Sequence, residues 1–398
     1  MVFLGTPEPA AMVLRRLVEE SKACGAGGFD VAAVVTRPSR RLRRGKRLEG
    51  SPVASTALDL GIAEDCIVAP DSARDEAFLE WMHALRPSLC VTAAYGAVLP
   101  QRFLDIPTRG TVNIHPSALP EFRGPAPVQR AMLRGDRRLA VSLAFTVLRM
   151  DAGPVVRQTW HPVPEDATAT WALETLFERG ADLLVEEMPG LLSGAAAADA
   201  TPQRDDDATE APKLAKADGD LDVRGCTARE IHDRVCALAM WPGTRARFAI
   251  RAAPAPALST STASTSTSAS GGEKKAGKEG KGGKEGMGKG EGTGGGMEEV
   301  VWIKLAKTSV VSDAEREAHL AWFDAAGVGG NGVGVNGAGG GVEVGMVAAP
   351  RGKGNDHMVV ACKGGSLLMV GEMQLPGKKA MTPKAFFNGR KGAKLVAV

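Results

Sequence analysis

Asn113 and His115 stand two residues apart in Asn113-Ile114-His115-Pro116-Ser117-Ala118-Leu119-Pro120, where an apolar, strand-like run ends. Side chains alternate between the two faces of a strand, so residues two apart point the same way. An amide N–H donor and an imidazole aimed at one reacting atom can hold a developing oxyanion and move a proton. Taken alone, a histidine at a strand end is more often a structural residue whose ring is satisfied by hydrogen bonds. A second element bears on the choice. Asp151, in Arg149-Met150-Asp151-Ala152-Gly153-Pro154, follows an apolar run over 141–147, and a carboxylate on that turn could reach the histidine. Asp-x-Gly turns are common, so the motif carries little by itself.

A third feature is charge. Residues 37–47 hold Arg37, Arg40, Arg41, Arg43, Arg44, Lys46 and Arg47 and no acid. Such a run can grip phosphates, or it can be a solvated basic loop or a localisation signal. Its place after the second strand, beside the loops that should form the site, favours nucleic acid. Gly5-Thr6-Pro7 lacks the Gly-x-Gly-x-x-Gly that a dinucleotide fold places after its first strand, so a nicotinamide or flavin cofactor is not supported.

The elements that must position these residues form a wound α/β pattern. Strand-like runs at 2–5, 31–36, 67–69, 89–94 and 112–115 alternate with helical stretches, among them one in which Met12, Leu14, Leu17 and Val18 can share a face. In open sheets ligands collect beyond the carboxyl ends of strands, so the loops at 5–7, after Thr36, at 95–96 and at 113–120 should converge. With 398 residues, two domains are expected: residues 1–192, a solvated connector at 193–211, and a smaller domain over 212–398. That second part shows a helical pattern over 227–238 and strand-like runs at 245–250, 300–305, 357–362 and 367–370, which suit a small β-barrel. Low-complexity insertions near 253–298 and 327–341 cannot fill a core. The six cysteines are scattered, with no zinc-ligand spacing, and read as reduced, mostly buried thiols. A formal charge of +3 excludes little, and no run of apolar residues is long enough to cross a membrane.

Several stretches together resemble the methionyl-tRNA formyltransferase family: Val2-Phe-Leu-Gly-Thr-Pro7, Arg44-Gly-Lys46 with Ser51-Pro52-Val53, Ala94-Tyr95-Gly96 with Leu99-Pro100, Asn113-Ile-His115 with Ser117 to Pro120, and Asp151-x-Gly153. The distal half adds Lys213-Leu-Ala-Lys216, Trp241-Pro242 and Leu375-Pro-Gly-Lys-Lys-Ala-Met381, which look like the family's carboxyl-terminal domain. The resemblance implies a Rossmann-like formyltransferase domain with a parallel-rich sheet, followed by an OB-like barrel. It further implies Asn113, His115 and Asp151 as the catalytic trio, with Ala94, Tyr95, Gly96, Ser117, Ala118, Leu119 and Pro120 lining a folate pocket. Arg40, Arg43, Arg44, Lys46, Lys213 and Lys216 would meet tRNA. Ala118 stands where the family usually has leucine, and Glu121-Phe122 replaces a more basic pair, departures that bear on affinity more than on chemistry.

The activity implied is transfer of formyl from 10-formyltetrahydrofolate, the co-substrate, to the amino group of methionyl-initiator tRNA, with no metal required, by a monomer that does not engage a membrane. Two other readings share the motifs: another folate-dependent formyltransferase or hydrolase acting on a small amine or on formyltetrahydrofolate, and a non-catalytic RNA-binding protein on the same scaffold. The second domain and the basic run argue against the first. The intact trio argues against the second. Translation initiation of this kind places the protein in a mitochondrion or plastid if a transit peptide precedes Met1, and otherwise in the cytoplasm.

Overall fold

The structure, a computed structural model, describes residues 1–24, 28–38, 40–41, 48–251, 298–324, 342–352, 354–390 and 393–398. The insertions expected near 253–298 and 327–341 lie outside the described residues, except that Glu298 opens a strand.

The first part runs β1 (Val2–Gly5), α1 (Glu8–Cys24), β2 (Ala33–Val35), β3 (Arg40–Arg41), β4 (Leu48–Glu49), α2 (Pro52–Asp59), β5 (Ile67–Val68), α3 (Glu76–Leu85), β6 (Cys90–Ala93), α4 (Gln101–Leu104) and β7 (Thr111–His115). It continues through α5 (Pro127–Arg134), β8 (Arg138–Phe145), β9 (Val155–Pro162), α6 (Ala169–Ser193) and α7 (Ala195–Asp199). Seven strands form one sheet in the order β5-β2-β1-β6-β7-β8-β9. The pairs from β5 through β7 are parallel, while β8 and β9 add antiparallel pairs at the edge. The chain winds outward from β1 to β5 and then returns to β6, so the order reverses between β1 and β6. That crevice is where such sheets bind ligands.

Both faces of the sheet are covered. Phe3, Val91, Ile114 and Leu143 pack with α1 and α6, whereas Leu4, Val35 and Cys90 pack with Phe78, Met82 and Phe103 of α3 and α4. On α1 the buried stripe is Ala10, Ala11, Val13, Leu14, Leu17 and Val18. Met12, expected on this face, is only partly buried, because a tight approach to the sheet needs the small alanines. α6 comes closer still: a Cβ on Gly180 would stand 2.4 Å from Cγ2 of Ile114 and 3.1 Å from Cγ2 of Val141. Gly180→Ala is therefore expected to wedge α6 away from β7 and lower stability by about 1–3 kcal/mol, read as a lower Tm. An unchanged or higher Tm would contradict this packing.

Residues 193–211, expected as a solvated connector, do not hang free. α6 extends to Ser193, α7 follows, Ala196 and Ala211 are buried, and residues 201–211 hydrogen-bond to the first domain through Val155, Pro120 and Arg123. The segment stays largely solvated, as its composition predicts, and is tied down through its backbone, which an Ala/Asp/Thr composition does not reveal.

The second part holds α8 (Ala228–Ala237), β10 (Thr244–Arg251), β11 (Glu298–Val310), α9 (Asp313–Asp324), β12 (Val347–Ala348), β13 (Met358–Ala361), β14 (Leu367–Gln374), α10 (Pro383–Gly389) and β15 (Lys394–Ala397). Its six strands run β12-β13-β14-β11-β10-β15, every pair antiparallel. The two ends meet where Met346 bridges Val396 and the Ala397 N–H donates to the Gly345 carbonyl at 2.7 Å, nearly closing a barrel around Phe248, Ile303, Leu305, Val360 and Leu368. α8 serves both cores: Ile231 and Val235 face the barrel, while Cys236 and Ala237 join the first domain's core. His232 lies between them, its ring nitrogens 3.1 Å from the Thr308 hydroxyl and 3.1 Å from the Glu165 carbonyl.

All six cysteines are free, and three of them are buried. Burial pushes the thiols of Cys90 and Cys362 up to about 12 and that of Cys236 to about 11, so none of these three offers a thiolate nucleophile near neutral pH.

Candidate active site

β7 ends at the crevice and carries Asn113 and His115. Between them Ile114 faces α6, so the two polar residues share the opposite face, as their spacing predicts. Asn113 sits opposite Thr92 of β6, and the Thr92 hydroxyl lies 2.8 Å from Asn113 Oδ1. Holding the amide by its oxygen leaves its Nδ2 hydrogens free to point at a substrate oxygen.

The His115 side chain is 6% exposed. Its Nε2 is 3.0 Å from the Phe122 carbonyl, which can only accept, so Nε2 carries a proton and the ring is fixed. That leaves Nδ1 on the catalytic side, 3.7 Å from Asp151 Oδ1. The gap is too long for a hydrogen bond, so a proton on Nδ1 is not committed to the carboxylate. Asp151 itself occupies a left-handed turn with φ 50°, uncommon for a residue with a Cβ though aspartate tolerates it better than most, and its Oδ2 accepts from the Gly124 N–H at 2.9 Å. The turn closes only because residue 153 is glycine: a Cβ there would come within 1.8 Å of the Phe145 carbonyl oxygen. The structure thus brings His115, at the end of β7, together with Asp151, in the turn between β8 and β9.

The loop at 117–120 is bound into the sheet by two residues that sequence reasoning missed. The buried Ser142 hydroxyl donates to the Ser117 carbonyl at 2.6 Å and lies 3.2 Å from the Leu119 N–H. The Gln158 side-chain amide donates to the Leu119 carbonyl at 2.6 Å. The Ser117 hydroxyl is spent on the Glu121 carbonyl at 2.7 Å, so Ser117 shapes the loop, and Ala118 and Pro120 are its partly exposed members. Across the crevice, Thr6 donates to the Tyr95 carbonyl at 2.8 Å, tying the loop after β1 to the one after β6. Ala94 and Gly96 are exposed there, both with positive φ. The Tyr95 hydroxyl is buried and makes no hydrogen bond among the described residues; burial raises its pKa, and the nearby Arg37 guanidinium offsets part of that.

Of the basic residues, Arg43, Arg44 and Lys46 lie outside the described residues, and Arg40 is described only as main chain in β3, paired with Glu49 of β4. Lys213 and Lys216 are exposed on the stretch that leads into the barrel. A further group was not foreseen. On the outer face of β10 and β11, Arg247 pairs with Trp302 and Arg245 with Lys304, all four exposed, and the Arg245 guanidinium sits 4.5 Å from the centre of the Trp302 ring. Arginines, a lysine and an aromatic ring on one open sheet face suit a phosphate backbone with an unstacked base.

Residues 1–188 match the formyl transferase family, and residues 303–391 match the formyl transferase C-terminal domain. A methionyl-tRNA formyltransferase from Macrococcus caseolyticus is 35% identical over 248 residues, covering 62% of this chain and 76% of that protein. One from Roseiflexus is 39% identical over 245 residues, covering 61% and 71%. The chain belongs to the methionyl-tRNA formyltransferase family. It is an enzyme that catalyses formyl transfer. Among solved structures, an N-formyltransferase from Helicobacter canadensis, in complex with folinic acid and dTDP-3-aminofucose, covers 93% of this chain and 97% of its own at 11% identity, with a TM-score of 0.53. A sugar 3N-formyl transferase covers 95% and 98% at 11% identity, with a TM-score of 0.52. At such identity these two share the fold alone. In this formyltransferase, then, Thr92, Ser142 and Gln158 were missed because none lies in a motif; only the alternation along β6, β8 and β9 could have put them on the face of the sheet that carries the loop after β7.

Proposed function

We propose that this formyltransferase moves the formyl group of 10-formyltetrahydrofolate to the α-amino group of methionyl-initiator tRNA, with Asn113, His115 and Asp151 at the reacting atoms. The folate supplies the formyl carbon: a C–N bond to the methionyl amine forms, the bond to folate N10 breaks, and one proton passes from the amine to N10. The crevice between the loops after β1, β6 and β7 supports that reading, since Ala94, Gly96, Ala118 and Pro120 leave partly open surface beside Asn113. Asn113 Nδ2 would donate to the carbonyl oxygen as negative charge builds there, a contact worth roughly 3 to 4 kcal/mol. His115, fixed through Nε2, would present Nδ1 to the same oxygen and to the travelling proton. Asp151, 3.7 Å away, would favour the charged ring by its negative charge and relay the proton through one intervening water.

The observation that favours tRNA over a small amine is the outer barrel face of Arg247, Trp302 and Lys304, where Arg245, ion-paired with Asp220 at 2.6 Å, backs the Trp302 ring. A small amine needs no such surface. The test is acceptor choice: with labelled 10-formyltetrahydrofolate, formyl should reach charged initiator tRNA in preference to glycinamide ribonucleotide, an amino-sugar nucleotide or water. Trp302→Ala should raise KM for the tRNA by about fivefold or more, the equivalent of about 1 kcal/mol of lost stacking. Arg247→Ala should flatten the salt dependence of binding by roughly one unit of log–log slope. Preference for a small amine, with both variants unchanged, would move the assignment to another folate-dependent enzyme.

A further inference from the structure

Residues 201–211 form a strap that fixes the surroundings of both acid–base groups. It is anchored where Val155 and Thr201 exchange two backbone hydrogen bonds of 2.8 Å. Farther along, the Phe122 N–H donates to the Thr209 hydroxyl at 2.8 Å, the Arg123 N–H to the Thr209 carbonyl at 2.8 Å, and the Ala211 N–H to the Arg123 carbonyl at 2.7 Å. Phe122 is the residue whose carbonyl holds His115 Nε2. The approach is close enough that a Cβ on Gly124 would stand 2.7 Å from the Ala211 carbonyl oxygen.

One side chain of this strap reaches into the other half of the site. Gln203 Nε2 donates to the Asp151 carbonyl at 2.8 Å and to the Gly153 carbonyl at 2.6 Å, while its Oε1 accepts from Arg123 Nε at 2.9 Å. Each amide hydrogen thus meets one carbonyl of the Asp151 turn, and the oxygen meets the loop that carries Gly124, the donor to the Asp151 carboxylate. A left-handed conformation costs an aspartate less than most residues with a Cβ, yet it still needs neighbouring contacts to hold one turn geometry. We infer that Gln203 is a positioning residue for formyl transfer, holding the Asp151 turn and the Arg123 loop in one frame so that Oδ1 stays opposite His115 Nδ1. Backbone bonds at Thr201, Thr209 and Ala211 secure the strap without it, so the side chain is not needed merely to keep the segment in place. This inference rests on the reading of Asp151 as part of the reacting group.

The test uses the full-length chain and three variants: Gln203→Ala, Gln203→Met, which keeps the length but no hydrogen bond, and Gln203→Glu, which keeps the acceptor for Arg123 but loses the paired donors. All three should lower the single-turnover rate, by about 100-fold for the first two, because misplacement of about 1 Å at a reacting group costs that much. KM for tRNA should change little, and Tm should fall only modestly, leaving the protein folded at the assay temperature. In an Asp151→Asn background, Gln203→Ala should cause no further fall, which a general structural role would not produce. In a crystal structure of Gln203→Met, the Asp151 carboxylate should leave the Gly124 N–H. Native rates in Gln203→Ala and Gln203→Met, independent multiplying losses in the double variant, or an Asp151 that stays in place would each overturn the inference. The crystal structure answers it even if the native chain proves to use another acceptor, whose outcome is read separately in the acceptor assay.

Discussion

Replacing His115 with alanine is expected to lower the rate of formyl transfer by roughly 100- to 10,000-fold, the range of a positioned proton-transfer group. The ring is buried, its Nε2 is committed to Phe122, and its Nδ1 faces Asp151, so its removal takes away the group that stands between Asp151 and the reacting atoms. His115→Ala also strands the Phe122 carbonyl and opens a small void. Some loss of Tm should accompany the loss of rate, and His115→Gln separates the two. Glutamine can return a donor to Phe122 and recover stability, yet it cannot carry a proton, so its rate should remain low. Rates are to be compared at saturating tRNA, with far-UV circular dichroism to confirm folding. A His115→Gln protein with near-native rate would remove the histidine from the chemistry.

The second large effect is expected at Asn113. Asn113→Ala should reduce the rate roughly 100- to 1000-fold, the usual consequence of deleting one donor to a developing oxyanion. The Thr92 hydroxyl, 2.8 Å from Oδ1, orients the amide, so Thr92→Val should give a smaller fall in the same direction. Because Asn113 is only partly buried, stability should change less than at His115. The discriminating reading is the split between kcat and KM. An oxyanion donor acts in the transition state and lowers kcat, whereas an amide that merely binds ground-state folate raises KM for the folate alone.

Much of the site could be read in the sequence because polar residues interrupt an apolar run at its end. Asn113 and His115 on β7 and Asp151 on its Gly-Pro turn stand out for that reason, and the alternation of strands and helices gave the wound sheet. What could not be read depends on distant pairings. Gln203 meets Asp151 across 52 residues, and Ser142 meets Ser117 across 25. The 201–211 strap is held by its backbone, which leaves no hydrophobic pattern. β9 reads poorly as a strand because it is an edge strand and most of its residues are half-exposed, with no clean alternation. The basic-aromatic face of the barrel was hidden because Arg247 and Trp302 lie 55 positions apart, and only antiparallel register places them side by side.

The most direct measurement is single-turnover transfer of labelled formyl from 10-formyltetrahydrofolate to charged initiator methionyl-tRNA, with enzyme in excess, for the native chain, His115→Ala and Asp151→Asn. Rapid formylation by the native protein and its near-abolition in both variants is the expected result. Native-like transfer by folded His115→Ala and Asp151→Asn proteins would contradict the assignment of these residues, and transfer by the native chain only to a small amine would contradict the assignment of the substrate.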